Sequence, residues 1–384
     1  MVLRLIDQVA DQDAPADLIE HRAHTTLAFL RQLTPKNAEA VHLEHIADAV
    51  LWLLPDRTSL QILWSQLRLY ADYLRGALQL DEAIDVLETA DRGVGLHDPT
   101  LRSTILLALG STLRLARRVE EAERTYRMAR EAAAQASNKH DELLARIGLA
   151  NVARNVGNLP KAVAELEAVI ADAGAASDLD AFARAQHDLG ATHYYRGEML
   201  RAAQEMFEAF RAYRKPDLKY RALADLGVVM TEAGHYRGAQ VAYEIVICAA
   251  PLLESRVSAT IEVMDLASRS GDRLAFARWR NTLEQYGDLP PEERVDSLIK
   301  LGQGYARFGD LGQARQYLMQ AAECAQSHGL HQFAFQSEDE ISKLALEGSD
   351  PPAAMDASPP AELETVYCAL NEIRTSEVDL LSGT

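Results

Sequence analysis

The chain has 384 residues and a formal charge of −18, from 39 Lys and Arg against 57 Asp and Glu. That balance excludes non-specific affinity for nucleic acid and attraction to anionic lipid, both of which need an excess of Lys and Arg. Alanine fills 62 positions against 13 prolines and 21 glycines, the composition of a helical chain, since Ala loses no side-chain entropy in a helix and Pro breaks one.

Residues 1–15 are expected to form an N-terminal helix or cap. Asp7 and Asp11 interrupt what an export signal would keep apolar, and no apolar run approaches the roughly 18–20 residues of a membrane span. Cys248, Cys324 and Cys368 are widely spaced and outside any CxxC pattern. They fit reduced thiols and no zinc site, so a cytoplasmic location is expected.

From residue 16 to 345 one pattern recurs. A small anchor residue follows a bulky one, an alanine comes twelve residues later, and bulky or small apolar residues come sixteen and nineteen later. The anchors are Ala28, Ala71, Gly110, Ala150, Gly190, Gly227, Met264 and Gly302. The first copy is weak, and the copy at Met264 carries Phe276 where the others carry alanine. Five consecutive units add a glycine seven after the anchor: Gly157, Gly197, Gly234, Gly271 and Gly309. The spacing places the anchor on a first helix and the alanine on a second, both small so that antiparallel helices approach closely. The glycine ends the first helix in the left-handed region. Such a pair cannot bury its face alone, so neighbours stack into a solenoid with one continuous core. The connections 92–99, 135–141, 173–178, 213–217 and 285–293 carry the Gly, Pro, Asn and Asp of inter-helix turns. Gly93-Val94-Gly95 follows a helix, not a strand, and is expected to be loop. Residues 346–360, rich in Pro, Ser and acid, read as a flexible linker. Residues 361–384 read as an acidic C-terminal helix and tail.

LGATHYYRGEMLRAAQEMFEAF (189–210) and LGQGYARFGDLGQARQYLMQA (301–321) resemble the L-G-x-x-Y…G…A…F signature of the tetratricopeptide repeat (TPR) family. The resemblance covers roughly residues 16–345 and implies an all-α, right-handed superhelical solenoid of about eight antiparallel helix pairs. Anchor spacings of 37–43 residues exceed the family's usual period. They are more similar to TPR domains of bacterial signalling regulators of the Rap and PlcR type, which sense short peptides. No helix-turn-helix pattern precedes the first repeat, so DNA binding by the chain is not expected.

By analogy with the family, ligand-facing positions lie on the first helix of each pair, three before and one, four and five after the anchor. They hold Arg68, Asp72, Arg75, Ser111, Arg114, Asn151, Arg154, Asn155, His187, Tyr194, Tyr195, Thr231, Glu232, Asp265, Arg269, Gln303 and Arg307. The peptide- or partner-binding set is therefore Arg68, Arg75, Arg114, Asn151, Arg154, Asn155, His187, Tyr194, Tyr195, Arg269 and Arg307. Arg grips carboxylates in two-point geometry, Asn amides pair with an extended backbone, and Tyr supplies amphipathic area. Alternatively these are solvated charges with salt-bridge partners on adjacent helices. Arg68 is followed four later by Asp72, not Asn, so the carboxylate clamp of some TPR domains is not expected.

The histidine pairs His21/His24 and His42/His45 lack the HExxH spacing and read as surface or capping residues, with a metal-dependent enzyme as the lower alternative. No GxSxG, GxxxxGK[ST] or CxxC motif is present. Trp52, Trp64 and Trp279 are expected in the core or at the solenoid ends. The expectation is a non-enzymatic scaffold without cofactor, holding a protein or peptide partner with acidic groups. A peptide-responsive regulator is the alternative. The acidic tail is a candidate internal occupant of the same groove.

Overall fold

The computed structural model describes residues 5–6, 8–9, 14–33, 37–54, 61–94, 98–346 and 361–382. Among them are eighteen helices and no strand. In chain order they are α1 (Ala16–Gln32), α2 (Ala38–Leu53), α3 (Gln61–Gly76), α4 (Leu80–Val94), α5 (Pro99–Leu115), α6 (Val119–Gln135), α7 (Lys139–Asn155), α8 (Leu159–Ala176), α9 (Leu179–Tyr195), α10 (Met199–Ala212), α11 (Pro216–Glu232), α12 (Tyr236–Ala249), α13 (Leu253–Arg269), α14 (Arg273–Glu284), α15 (Pro291–Arg307), α16 (Leu311–Ser327), α17 (His331–Leu346) and α18 (Ala361–Ser382). The chain divides into two compact units, Met1–Ala181 and Phe182–Thr384. In each, helices adjacent in sequence pack on one another. Odd-numbered helices from α1 to α15 are the first helix of a pair, here A, and even-numbered helices from α2 to α16 are the second, B.

The small anchors sit where the helices touch. A Cβ on Gly110 would lie 2.9 Å from the Tyr126 ring, on Gly190 2.7 Å from Met206, on Gly227 2.6 Å from Tyr243, and on Gly302 2.6 Å from Leu318. Each partner is the residue sixteen after its anchor, so the A helix presents bare backbone to a bulky B-helix side chain. Two further glycines serve the next A helix along. Gly148 on α7 lies against the same Tyr126, and Gly304 on α15 lies against Phe276. The irregular seventh unit is thereby repaired: Phe276 replaces the usual alanine, and Gly304 clears room for its ring, which Tyr305 and Phe308 close edge-on at 5.5 and 5.3 Å.

Position seven after the anchor is left-handed in seven units. Five hold glycine, Gly157, Gly197, Gly234, Gly271 and Gly309, with φ from +74° to +81°. Leu78 and Arg117 hold the same place at φ +58° and +61°. Around Gly157, its N–H bonds to Arg154 O at 2.9 Å and the N–H of Asn158 to Ala153 O at 2.9 Å, closing the helix in a Schellman motif. Asn158 then accepts from Lys161 N–H and caps α8, so one residue both ends one helix and starts the next. His235, Asp272 and Asp310 cap α12, α14 and α16 at the corresponding place.

The first unit departs from its expected frame. Ala28 is exposed, and α1 turns Ile19, Ala23, Thr26, Leu27 and Leu30 inward, because Ala23 and Leu27, four apart, share the buried stripe. Gly93 and Val94 are not loop but the last turn of α4, and Gly95 lies outside the described residues. Trp64 is buried and Trp279 half-buried beneath Arg278, whereas Trp52 is 79% exposed near the end of α2. Of the linker expected over 346–360, Leu346 closes α17 and the rest lies outside the described residues.

In the first unit α5 touches α7; in the second α11 touches α13, α13 touches α15 and α15 touches α17. B helices make no comparable mutual contact among the described residues. Where neighbouring helices of one kind touch within a unit, they are A helices. Helix α18 packs on α10 and α12, on the B side. The tail helix therefore does not occupy the A-side groove.

Candidate functional site

The positions expected to face a ligand lie on the A helices α3, α5, α7, α9, α11, α13 and α15. In the first unit, Arg68 Nε lies 3.4 Å from Asp72 Oδ2 and Arg75 Nη1 lies 3.2 Å from Asp72 Oδ1. One carboxylate thus stands between two guanidinium groups at i−4 and i+3 on α3. On α5, Ser111 and Arg114 are half-buried. Arg114 makes no ion pair among the described residues, and its Nε is buried without a hydrogen-bond acceptor. On α7, Asn151 is buried, Arg154 half-buried and Asn155 exposed. Since α5 packs on α7, Arg114 and Arg154 stand at matching register, each four after its anchor. At these positions the first unit carries Arg68, Arg75, Arg114 and Arg154 and one acid, Asp72.

The second unit is built differently. His187 Nε2 lies 2.8 Å from Asp225 Oδ2 on the next A helix, with its ring edge-on to Tyr213. Tyr194 and Tyr195 meet edge to face at 5.8 Å, Tyr195 remaining 67% exposed. Burial, helped by Glu232, raises the Tyr194 hydroxyl's pKa. The centre of this face is Asp265 on α13, 1% exposed. Its carboxylate receives Arg269 Nε at 2.8 Å, Arg307 Nη1 at 2.6 Å and Lys300 Nζ at 3.5 Å. Burial alone would raise its pKa. The three cations, Lys300 foremost, outweigh that and pull it down to about 2. Glu262 and Asp296 flank the same lysine, and burial raises both. Arg269 also reaches Glu232 at 3.5 Å.

Arg269 and Arg307 are therefore committed to an internal carboxylate, as Arg68 and Arg75 are in part to Asp72. Lys300, Glu262 and Asp296 belong to the same cluster and are absent from the sequence-derived set. The signal that finds them is opposite charge on neighbouring A helices at one repeat's spacing. His187–Asp225, Arg269–Glu232 and Arg307–Asp265 lie 38, 37 and 42 residues apart. Ser103–Asp141 and His140–Asp178, each 38 apart, pin the first unit in the same way.

His21, His24 and His45 are exposed, and His42 packs beside Tyr70 and Tyr73 at 6.1 and 5.0 Å. Among the described residues no group of three or more His, Cys, Asp or Glu is placed to hold a metal ion, and no helix is long and apolar enough to cross a membrane.

No protein-family model matches the sequence, and no curated protein matches it. Solved structures do. The Rap conjugation gene regulator of plasmid pLS20, in complex with a Phr peptide, superposes with a TM-score of 0.52 at 14% identity, over 87% of this chain and 97% of that one. The chain has the fold of a tetratricopeptide-repeat protein. A Rap protein complexed with competence and sporulation factor matches at TM-score 0.49 and 13% identity, over 90% of this chain and 94% of that one. The apo quorum sensor NprR from B. thuringiensis matches at 0.49 and 12%, over 85% and 99%.

Proposed function

We propose that the chain is a non-enzymatic scaffold that holds an extended peptide segment bearing carboxylates on the A side of its first unit. Arg114 and Arg154 bind the carboxylates, Asn151 and Asn155 pair with the peptide backbone, and Arg68 and Arg75 extend the positive strip. The observation that carries this reading is Arg114, a half-buried guanidinium whose Nε has no acceptor among the described residues. A buried donor left unmade costs on the order of 1–3 kcal/mol, and a ligand carboxylate recovers it. In the second unit Arg269 and Arg307 are closed on Asp265 and His187 on Asp225, so the half-buried Tyr194 and the exposed Tyr195 are what that face offers a ligand.

Capture of partners from lysate by the chain and by its Arg114→Gln/Arg154→Gln variant, quantified by mass spectrometry, tests this. Loss of the captured set in the variant is expected, and an unchanged set refutes the acidic-peptide groove. A second reading, a peptide-responsive regulator, is favoured by the shared fold with a gene regulator that was solved with a peptide bound. Small-angle scattering separates the two: a regulator changes dimension when its peptide is added, and a passive scaffold does not.

A further inference from the structure

Among the described helices, α18 is the one that leaves the order of the repeat. It passes over α13 to α17 in sequence and packs on α10 and α12. It lies parallel to α12, with Glu364 and Tyr367 beside His235 at the start of α12 and Arg374 beside Glu244 further along it. Leu363, Val366 and Leu370 are fully buried, at i, i+3 and i+7, while Tyr367 and Ile373 pack against the same cluster from the flanks. Two polar contacts fix the ends. Glu364 Oε2 lies 3.3 Å from His235 Nε2, and Arg374 Nη1 lies 2.8 Å from Glu244 Oε2. Nδ1 of His235 accepts from Gly238 N–H at 3.0 Å, which leaves Nε2 as the protonated nitrogen that donates to Glu364.

This is the geometry of an amphipathic helix seated in a groove. The seat is shallow: α18 buries three side chains among its described residues, whereas α12 buries six. The groove exists whether or not α18 fills it, because the repeat itself builds α10 and α12.

We propose that the α10/α12 groove is a second docking site, for an amphipathic helix presented by a partner, and that α18 is its built-in competitor. The occupant's chemistry is written in α18: two turns of Leu, Val and Leu with a flanking Tyr, an acid at the first turn to meet His235, and a base ten residues later to meet Glu244. The site lies on the B side and is independent of the A-side peptide groove. Fourteen residues of sequence separate α17 from α18, a separation for which effective concentration is on the order of 1 mM. A free helix of the same sequence with intrinsic affinity of about 10 μM would then be held off about 100-fold.

The probe is a fluorescent peptide of residues 361–382, titrated by anisotropy against the full chain and against a Leu363→Asp/Leu370→Asp chain whose own helix cannot seat. Binding to the variant is expected about 100-fold tighter than to the unaltered chain, and a peptide carrying Leu370→Asp binds neither. If the variant, folded by circular dichroism, binds no better than the parent, or if both peptides bind alike, the proposal fails. A charge exchange guards against a folding defect. A Glu244→Arg chain is expected to prefer the Arg374→Glu peptide over the unaltered one, and absence of that preference also overturns the docking site. The Arg114→Gln/Arg154→Gln variant leaves this readout unmoved, so the two proposals fail separately.

Discussion

Tyr126 is enclosed by two glycines, Gly110 on its own A helix and Gly148 on the next, and a Cβ on either would press into its ring. Gly148→Ala thus sets two effects against each other. Alanine gains about 1 kcal/mol of helix propensity, while overpacking a rigid ring costs about 1–3 kcal/mol. Steric conflict wins because Tyr126 is buried and has no free end to move. Urea unfolding should show Gly148→Ala destabilised by about 1–2 kcal/mol, and Tyr126→Leu in the same chain should relieve the added cost. Asp265 is the buried carboxylate at the centre of the second unit's charge cluster. Its pKa is held near 2, below the usual 3.8, so its contribution is fully present above about pH 4 and is lost as pH falls from there toward 2. Asp265→Asn removes the buried carboxylate that Arg269, Arg307 and Lys300 share, leaving Arg269 with Glu232 and Lys300 with Glu262, and should cost about 3–5 kcal/mol at pH 7. Thermal melts should show that penalty shrink as pH drops below 4. Glu262 has the opposite sign. Burial raises it, so its ionisation works against folding as pH rises past its ordinary range. Glu262→Gln should raise Tm at pH 7 and leave it unchanged at pH 4.

At the scale of the helix and its turn, the sequence marks the left-handed position by glycine in five units and hides it in two. Arg117 and Leu78 adopt the same backbone conformation because the Schellman turn and the next helix's start leave no alternative. A non-glycine residue held there costs about 1–2 kcal/mol, and glycine returns part of that through the entropy of its unfolded chain. Arg117→Gly should therefore stabilise by about 0.5–1 kcal/mol, and Gly157→Ala should destabilise by about 1 kcal/mol, both read from urea midpoints. This pair also shows what was legible. Helix pairing, the anchor contacts and the turn glycines follow from local rules of size and φ, so the sequence displays them. Gly148 and Gly304 were missed because their partners, Tyr126 and Phe276, belong to the preceding unit, and a frame drawn inside one unit cannot see across its edge. Ala28 misled for a related reason. Helix α1 buries Ala23 and Leu27 instead, a stripe set by its packing on α2 and not by the frame of the later units.

At the scale of the whole chain, the candidate site was legible as a set of positions but not as a set of available charges. Arg269 and Arg307 share the positional logic of Arg114. They differ in having Asp265 within reach, a pairing between residues 4 and 42 apart that only the stacking of A helices makes. The destination of α18 was not legible at all, because an amphipathic stripe states what a helix needs to cover and not where. The same stacking makes one further consequence testable. Each helix of the repeat draws its contacts from nearby helices, α18 apart, so stability in a repeat is set locally and passed on weakly with distance. Hydrogen exchange on the Gly148→Ala chain should show amides of α5, α6 and α7 losing protection by roughly tenfold, the rate equivalent of about 1.4 kcal/mol. Amides of α13 and α15, which the Asp265 cluster holds together, should exchange at the parent rate. Asp265→Asn should give the mirror result, loosening α13 and α15 while α5 to α7 keep their protection. Uniform loss of protection from either change would mean the chain opens as one cooperative body, and the nearest-neighbour account of its stability would be wrong.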